Sequence, residues 1–193
     1  MLKHLRSAGI KKTFGFSCAS LFQLVFCLVF EQKNWYRLLK SNQSINYPAK
    51  DAVYRFLNHS KFAWRRFLLF LSANAIQKVS DLTDHHRPKV LIVDDSSFYR
   101  QRSKTVELLA RCFDLDHASQ KCDSIRGFAC NARLVGSTFM PIDLSLLSSK
   151  KAQINGINAQ IDKRCSGYKR RVGALQTAPE QIPSMIERAL KWC

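Results

Sequence analysis

Two adjacent carboxylates close an apolar run in Val90-Leu91-Ile92-Val93-Asp94-Asp95-Ser96-Ser97. Four apolar residues, three of them β-branched, read as a strand covered on both faces. Acids at the carboxyl end of such a strand are placed to hold a divalent cation against phosphate. A strand running into an ordinary Asp/Ser turn has the same local pattern, so the surrounding sequence has to decide between them.

The charge balance narrows the partner. The chain of 193 residues carries 31 Lys+Arg against 14 Asp+Glu, a net charge of +17. An excess of this size suits a partner of dense negative charge. It is spread along the chain rather than gathered on one amphipathic helix, which favours nucleic acid over a membrane surface. A hydrophobic content of 46% rules out a disordered chain. Seven cysteines, at 18, 27, 112, 122, 130, 165 and 193, form neither a C-x-x-C nor a Cys/His cluster at zinc-finger spacing. Free thiols in a reducing cytoplasm are the expectation. Phe16 to Phe30 is nearly all apolar and follows Lys11-Lys12. The run falls short of the ~20 residues that span a bilayer, Gln23 interrupts it, and Glu31-Gln32-Lys33 follows where a signal peptide would carry small residues. It is expected to be a buried helix, with no membrane partner.

The elements that would position the acidic pair fall into two parts. Residues 1–85 read as helical: the run 16–30 continues through Trp35, Tyr36, Leu38 and Leu39 on one face, and Asn46-Tyr47-Pro48 breaks it. Lys50–Leu57 is a short helix with Val53, Phe56 and Leu57 on one side. Phe62–Val79 is a longer one with Phe67, Leu68, Leu71 and Ile76 inward. Arg55, Lys61, Arg65 and Arg66 gather on or near these two helices, either as a solvated face or along a phosphate backbone. His85-His86-Arg87-Pro88 is a polar boundary whose proline bars helix continuation. Beyond it the pattern predicts a strand at Lys89–Val93, a helix at Lys104–Cys112, and strands at Gly127–Val135 and Thr138–Leu147. A basic loop from Lys150 to Arg171 and a closing helix at Glu180–Trp192 follow. That helix carries Ile182, Met185, Ile186, Ala189 and Leu190.

Two families begin with an apolar strand that ends in paired acids. A two-component receiver domain carries a phospho-acceptor loop near Met-Pro, as at Met140-Pro141. Its acceptor would fall on Ser137, which cannot form an acyl phosphate, and it leaves the basic region in front unexplained. It is the lesser candidate. An ordered series covers far more: Lys50-Asp51-Ala52-Val53-Tyr54-Arg55-Phe56-Leu57-Asn58, Trp64-Arg65-Arg66-Phe67-Leu68-Leu69, and Val90 to Arg100 with Arg102-Ser103-Lys104. Val106-Glu107-Leu108-Leu109-Ala110-Arg111, Thr138-Phe139-Met140-Pro141-Ile142-Asp143, Leu146-Leu147-Ser148-Ser149 and Gly167-Tyr168-Lys169-Arg170-Arg171 complete it. With these, the chain resembles the N-terminal portion of a bacterial insertion-sequence transposase of the DDE class, in the group related to the fourth insertion-sequence family.

The resemblance implies an N-terminal helical domain over 1–85 that engages transposon-end DNA. Over 86–193 it implies the first three strands and following helix of a ribonuclease-H-like domain, an α+β to α/β class. Two Asp and one Glu of that family hold two Mg²⁺ (or Mn²⁺) ions for strand cleavage and transfer. Asp94, with Ser96 and Phe98, best meets the D-x-[ST] setting of the first acid and is the expected metal ligand; Asp95 is the alternative for the same position. Phosphate contacts are expected from Arg55, Arg65, Arg66, Lys104, Lys163, Arg164, Lys169, Arg170 and Arg171. The partners implied are double-stranded DNA at transposon ends and full-length transposase as a homo-oligomer.

Three departures qualify the resemblance. The family's second Asp and its Glu lie on later elements, so the expectation is a truncated and catalytically inactive chain, with Asp143 a poor substitute. A non-enzymatic DNA-binding remnant, or an inhibitor of the full-length enzyme, is the alternative. Gly127-Phe128 is followed by Ala-Cys-Asn-Ala-Arg-Leu-Val-Gly, without the family's usual turn, and Asp114-Leu115 looks inserted; compensating frameshifts would leave such a pattern. Loss of a fourth strand would leave Val90–Val93 as an exposed, aggregation-prone edge.

Overall fold

A computed structural model describes residues 2–41, 47–83, 90–100, 102–113, 121–135 and 138–192. The chain divides into two compact units at Trp64 and Arg65, earlier than the compositional boundary near residue 85. That boundary, His85-His86-Arg87-Pro88, lies outside the described residues. The reason for the earlier division is packing. The helix that follows Trp64 buries Leu69 and Ile76 in the same core as the sheet, so it belongs to the second unit although its sequence pattern continues the helical region.

The first unit holds α1 (Leu2–Ser7), α2 (Cys18–Phe30), α3 (Trp35–Lys40) and α4 (Lys50–Leu57). Its core contains Leu5, Ile10, Leu21, Trp35, Leu38, Val53, Phe56 and Phe62. The continuous helical face expected through Trp35 is interrupted at residues 31–34. Asn34 accepts a hydrogen bond from the Arg37 backbone N–H (2.8 Å) and starts α3 afresh, a local bond that competes with helix continuation. Nor is α2 buried all round. Cys18, Leu21 and Leu28 are inside, whereas Phe26, Val29 and Phe30 are 53–73% exposed. Phe22, Phe26 and Phe30 sit one turn apart and touch ring to ring. Among the described residues no helix is long and apolar enough to cross a membrane. α4 forms as expected with Val53 and Phe56 inside, but Leu57 is 41% exposed.

The second unit is a mixed α/β layer: α5 (Trp64–Asp81), β1 (Val90–Tyr99), β2 (Ala110–Phe113), β3 (Lys121–Val135), β4 (Thr138–Leu147), α6 (Ser166–Gly173) and α7 (Ala178–Trp192). All pairings are antiparallel, and the long β3 is central. Ser124 pairs with both Tyr99 of β1 and Ala110 of β2, so β1 lies along one edge of β3 and β2 and β4 follow each other along the other. β1, β3 and β4 therefore make a three-strand meander, with β2 as a short addition. Leu69, Ile76, Met185 and Ala189 from α5 and α7 pack on Cys130, Ala132 and Ile142, with Leu91, Val93 and Met140 at the margin. One sheet face is thus covered by helices, the usual arrangement for an antiparallel sheet.

Several expectations change here. β1 runs on through both aspartates to Tyr99 instead of ending at Val93, and within the described sheet its one neighbour is β3. It is an edge strand, with Val90 47% exposed, and not one covered on both faces. The helix expected at Lys104–Cys112 is absent. Leu108, Leu109 and Ala110 are consecutive and all buried, which a single helix face cannot provide. They lie instead against the segment after β4. Leu108 N donates to Asn155 O (3.0 Å), Ile154 N to Leu109 O (2.7 Å) and Arg111 N to Ala152 O (2.9 Å), with Leu108 at φ 63°. On α5 the inward residues are Phe67, Leu69, Ser72 and Ile76, while Leu71 is 38% exposed. On α7 they are Gln181, Met185 and Ala189, one face at four-residue spacing, and Leu190 is exposed.

α7 starts on a side-chain cap. The Thr177 backbone N–H donates to the Glu180 carboxylate (2.8 Å), the Thr-x-x-Glu arrangement that satisfies a free helix-terminal donor. That N–H, and then the threonine hydroxyl, hold the Glu180 carboxyl below its ordinary pKa. A lowered folded-state pKa stabilises above the unfolded value and loses its effect as pH falls through the folded one. Glu180→Ala should therefore melt below the parent at pH 7, and the gap should close on acidification below pH ~4.5. A gap that stays constant into acid would show that the cap's charge is not what stabilises the helix.

Candidate functional site

Strand geometry separates the two aspartates. Successive side chains of a strand point to opposite faces. Leu91 and Val93 face the helices, so Asp95 lies on that side and Asp94 lies with Ile92, Ser96 and Phe98 on the open face. Asp95 takes an ion pair from Arg126 Nη2 at 2.8 Å. Asp94 is exposed and has no ion pair with a described residue. Its opposite neighbour across the ladder is Ala129, and that of Ser96 is Gly127. Small residues on β3 thus leave the Asp94 carboxylate accessible. Asp94 and Asp95 are alternatives for one role and not joint ligands of one ion.

A divalent cation of the Mg²⁺ type requires several hard oxygen donors. Asp94, with the Ser96 hydroxyl on the same face, offers the right kind of atom. Among the described residues no three His, Cys, Asp or Glu side chains gather as a metal site. The residues present therefore fit one wall of such a site.

A second carboxylate, Asp143, is the most heavily engaged group in the unit. Its side chain is wholly buried. Arg65 Nε of α5 lies 3.0 Å from Oδ1, and Arg188 of α7 brings Nε and Nη2 each to 2.8 Å of Oδ2. Oδ1 also accepts from the Leu144 N–H (2.8 Å). A β-bulge puts the residue there. Cys130 opposes Asp143 and Asn131 opposes Pro141, which leaves Ile142 as the extra residue. Ile142 and Asp143 are then both buried, and Met140, Ile142, Asp143 and Ser145 all contribute to the covered face. Arg65 also donates to Leu144 O (3.2 Å). Ser145 Oγ donates to Gln181 Oε1, and Gln181 Nε2 donates to Gly173 O (2.7 Å) and Leu146 O (3.2 Å). With both oxygens in ion pairs with arginines, Asp143 serves as a structural counter-charge.

Arg170 completes an excess of positive charge. Burial lowers its pKa, Arg65 and Arg171 lower it further, and Asp143 opposes them. Burial likewise lowers Arg65, with Asp143 opposing. Three guanidinium groups thus share one carboxylate, and Arg170 has no direct ion pair among the described residues.

The nine cations expected at phosphate fall into three groups. Arg65 is turned inward to Asp143, and Arg171 is held by Glu107 at 2.6 Å. Arg66 lies over the Phe70 ring, 5.2 Å from its centre, and Arg55 of the first unit donates to Asp51 O (3.3 Å). Lys104, Lys163, Arg164 and Lys169 are exposed, and Arg170 is half-buried. Glu107 also accepts from Asn158 N (2.8 Å), and Asn155 Nδ2 donates to Lys104 O (3.2 Å) and Val106 O (3.1 Å). These bonds join the Lys104 loop to the basic segment before α6. Glu107 lies in the ordered series Val106–Arg111, and only its three-dimensional partners disclose its role. Arg100 and Arg102 belong to the ordered series but stand outside the expected phosphate contacts. With Tyr99 and Ser103 they line a shallow recess of about 510 Å³ at the end of the strand that carries Asp94. Their signal was in plain view, two arginines directly after the acidic strand.

A family model described as DDE superfamily endonuclease matches residues 24–193. Comparison with curated proteins and with solved structures gives no match.

Removing one partner from a buried ion pair strands the other charges, at a cost of about 3–5 kcal/mol. Asp143→Asn should lose stability of that order, read as a lower urea midpoint at unchanged slope. Asp95→Asn breaks an exposed pair and should cost under ~1 kcal/mol. Equal losses in the two variants would contradict the placement of Asp143 at the centre of the packing.

Proposed function

The chain belongs to the DDE superfamily of endonucleases, and on that footing we propose that it engages DNA as an insertion-sequence transposase does, with Asp94 as the first metal-ligand carboxylate. The observation that carries this reading is the separation on β1: Asp95 is neutralised by Arg126, while Asp94 is exposed on a face lined by Ala129 and Gly127. We read β1, β3 and β4 as the first strands of a ribonuclease-H-like sheet, with helices on one face and the substrate side on the other. Divalent cations, Mg²⁺ or Mn²⁺, supply charge at the scissile phosphate and lower the pKa of the attacking water or 3′-hydroxyl when bound. Asp94 orients them from one side. Lys104, Lys163, Arg164, Lys169 and Arg170 neutralise backbone phosphates, which positions duplex DNA without reading its sequence. The helical first unit, through Arg55, is the transposon-end contact. Association with further transposase copies belongs to the same reading.

A second reading is DNA binding without cleavage by the 193-residue chain. It is favoured by Asp143, a second carboxylate of the sheet, being taken up by Arg65 and Arg188. The two readings share the DNA surface and differ in the metal.

Fe²⁺ with ascorbate, used in place of Mg²⁺, cuts a polypeptide beside the bound ion. Backbone cleavage is expected near residue 94, abolished by Asp94→Asn and retained in Asp95→Asn. Cleavage lost equally in both variants, or none in the parent chain, would exclude Asp94 as the ligand and leave DNA binding alone. For the surface, the combined change Lys163→Ala, Arg164→Ala and Lys169→Ala should weaken duplex binding regardless of sequence. The slope of log affinity against log salt should become shallower by ~0.9 for each phosphate contact removed. An unchanged slope would remove this segment from the interface.

A further inference from the structure

The first unit contains a pocket that shares Arg55 with the proposed duplex contact but whose aromatic wall that contact does not use. About 450 Å³ in volume, it lies between the loop before α2 and the outer side of α4, and Lys12, Phe14, Phe16, Arg55, His59 and Phe62 line it. The size lies within the range of small-ligand pockets, about 300–1,000 Å³. Its lining is of two kinds. Phe14 is 90% exposed and Phe16 46%, and the His59 ring lies flat on Phe62, with centroids 4.0 Å apart and planes at 16°. Lys12 and Arg55 bring two positive charges to the same space. Gly15, at φ 74°, makes the turn that sets Phe14 and Phe16 on the pocket wall, a conformation that favours glycine.

A phenylalanine left 90% in water forgoes the stabilisation that burial of its ring supplies, and no described residue of the unit's own core covers it. An apolar peptide would account for the rings but not for the cations. A duplex would account for the cations but keeps its base faces inside the stack. A nucleotide out of its stack presents both a flat aromatic face and an adjoining phosphate. Bases stack on exposed aromatic side chains with little dependence on sequence, while basic residues track the backbone. We propose that this pocket takes an unpaired nucleotide of single-stranded DNA, its base against Phe14 and the His59–Phe62 pair and its phosphate against Lys12 and Arg55. Burial, with Lys61 and Lys12 nearby, pushes the His59 pKa down, which keeps its ring an uncharged stacking surface at neutral pH. The proposal rests on the DNA reading above and adds a substrate feature to it, a single-stranded end or gap.

The test uses the whole chain with a blunt hairpin duplex and with the same hairpin carrying a short 3′ overhang, a 2-aminopurine placed in the overhang. Stacking should quench its fluorescence on binding. Phe14→Ala should abolish that quenching and weaken overhang binding roughly fivefold or more, with blunt-duplex affinity unchanged within about twofold. Phe14→Trp should restore quenching, and a melting curve like that of the parent shows that Phe14→Ala is folded. Quenching that survives Phe14→Ala, or equal affinity for blunt and overhang hairpins in the parent, overturns the proposal. Blunt duplex bound while the overhang stays bright means that the pocket alone fails. No binding of either hairpin means that the DNA reading fails with it.

Discussion

A wholly buried carboxylate has to be compensated where it lies, and Asp143 is compensated from two helices at once. Arg65 reaches it from the first turn of α5 and Arg188 from the C-terminal half of α7. Neither helix can slide along the sheet without removing a guanidinium from a charge that water cannot reach, a change of several kcal/mol. Apolar contacts such as Ile76 and Met185 on Cys130 and Ile142 supply most of the attraction, but they are not directional. The ion cluster sets which face of each helix points inward. Ser72 on the Pro141 carbonyl and Gln181 on Ser145 extend the same polar seam on either side of it.

From that seam follows the division of the sheet into a covered and an open face. β1 lies at the edge, so its apolar half, Leu91 and Val93, is anchored under the helices while its second half continues into solvent. The acidic pair straddles the division. Asp95 is on the helix side and meets Arg126; Asp94 is on the other and stays available. The local excess of arginine around Asp143 has a related consequence. Arg170, pressed by Arg65 and only partly offset, stands beside the exposed Lys169 and after Lys163 and Arg164. A polyanion laid along this segment relieves repulsion within the protein as well as its own.

The pattern of the chain made much of this legible, and the failures are informative. β4 coincides with the expected strand at Thr138–Leu147, and α4 with Lys50–Leu57, because their periodicity and flanking breaks agree with their packing. Lys104–Cys112 misled because Val106, Leu108, Leu109 and Cys112 imitate helical spacing. Leu108 and Leu109 are instead buried in a segment whose backbone bonds run to Ala152–Asn155, more than forty positions away. The long run Phe16–Phe30 misled in the opposite sense: apolar content promised burial on all sides, yet the unit has partners for one stripe only. α5 reads as a helix from its sequence, but its place with the sheet does not, since a helix's sequence states that it has an apolar face and not what covers it.

The sequence by itself determined the chemistry available to this protein: a strong positive charge, an acidic pair on an apolar strand, and an ordered set of segments like those of a DDE transposase. It determined these because composition and strand periodicity are local properties that survive any folding. Tertiary structure alone decided which aspartate is available and which is spent. Alternation along β1 and the position of Arg126 made that choice for Asp94 and Asp95, and a bulge at Ile142 turned Asp143 into the anchor of two helices. A carboxylate's role depends on the charges and solvent around it, and those arrive from residues distant in the chain.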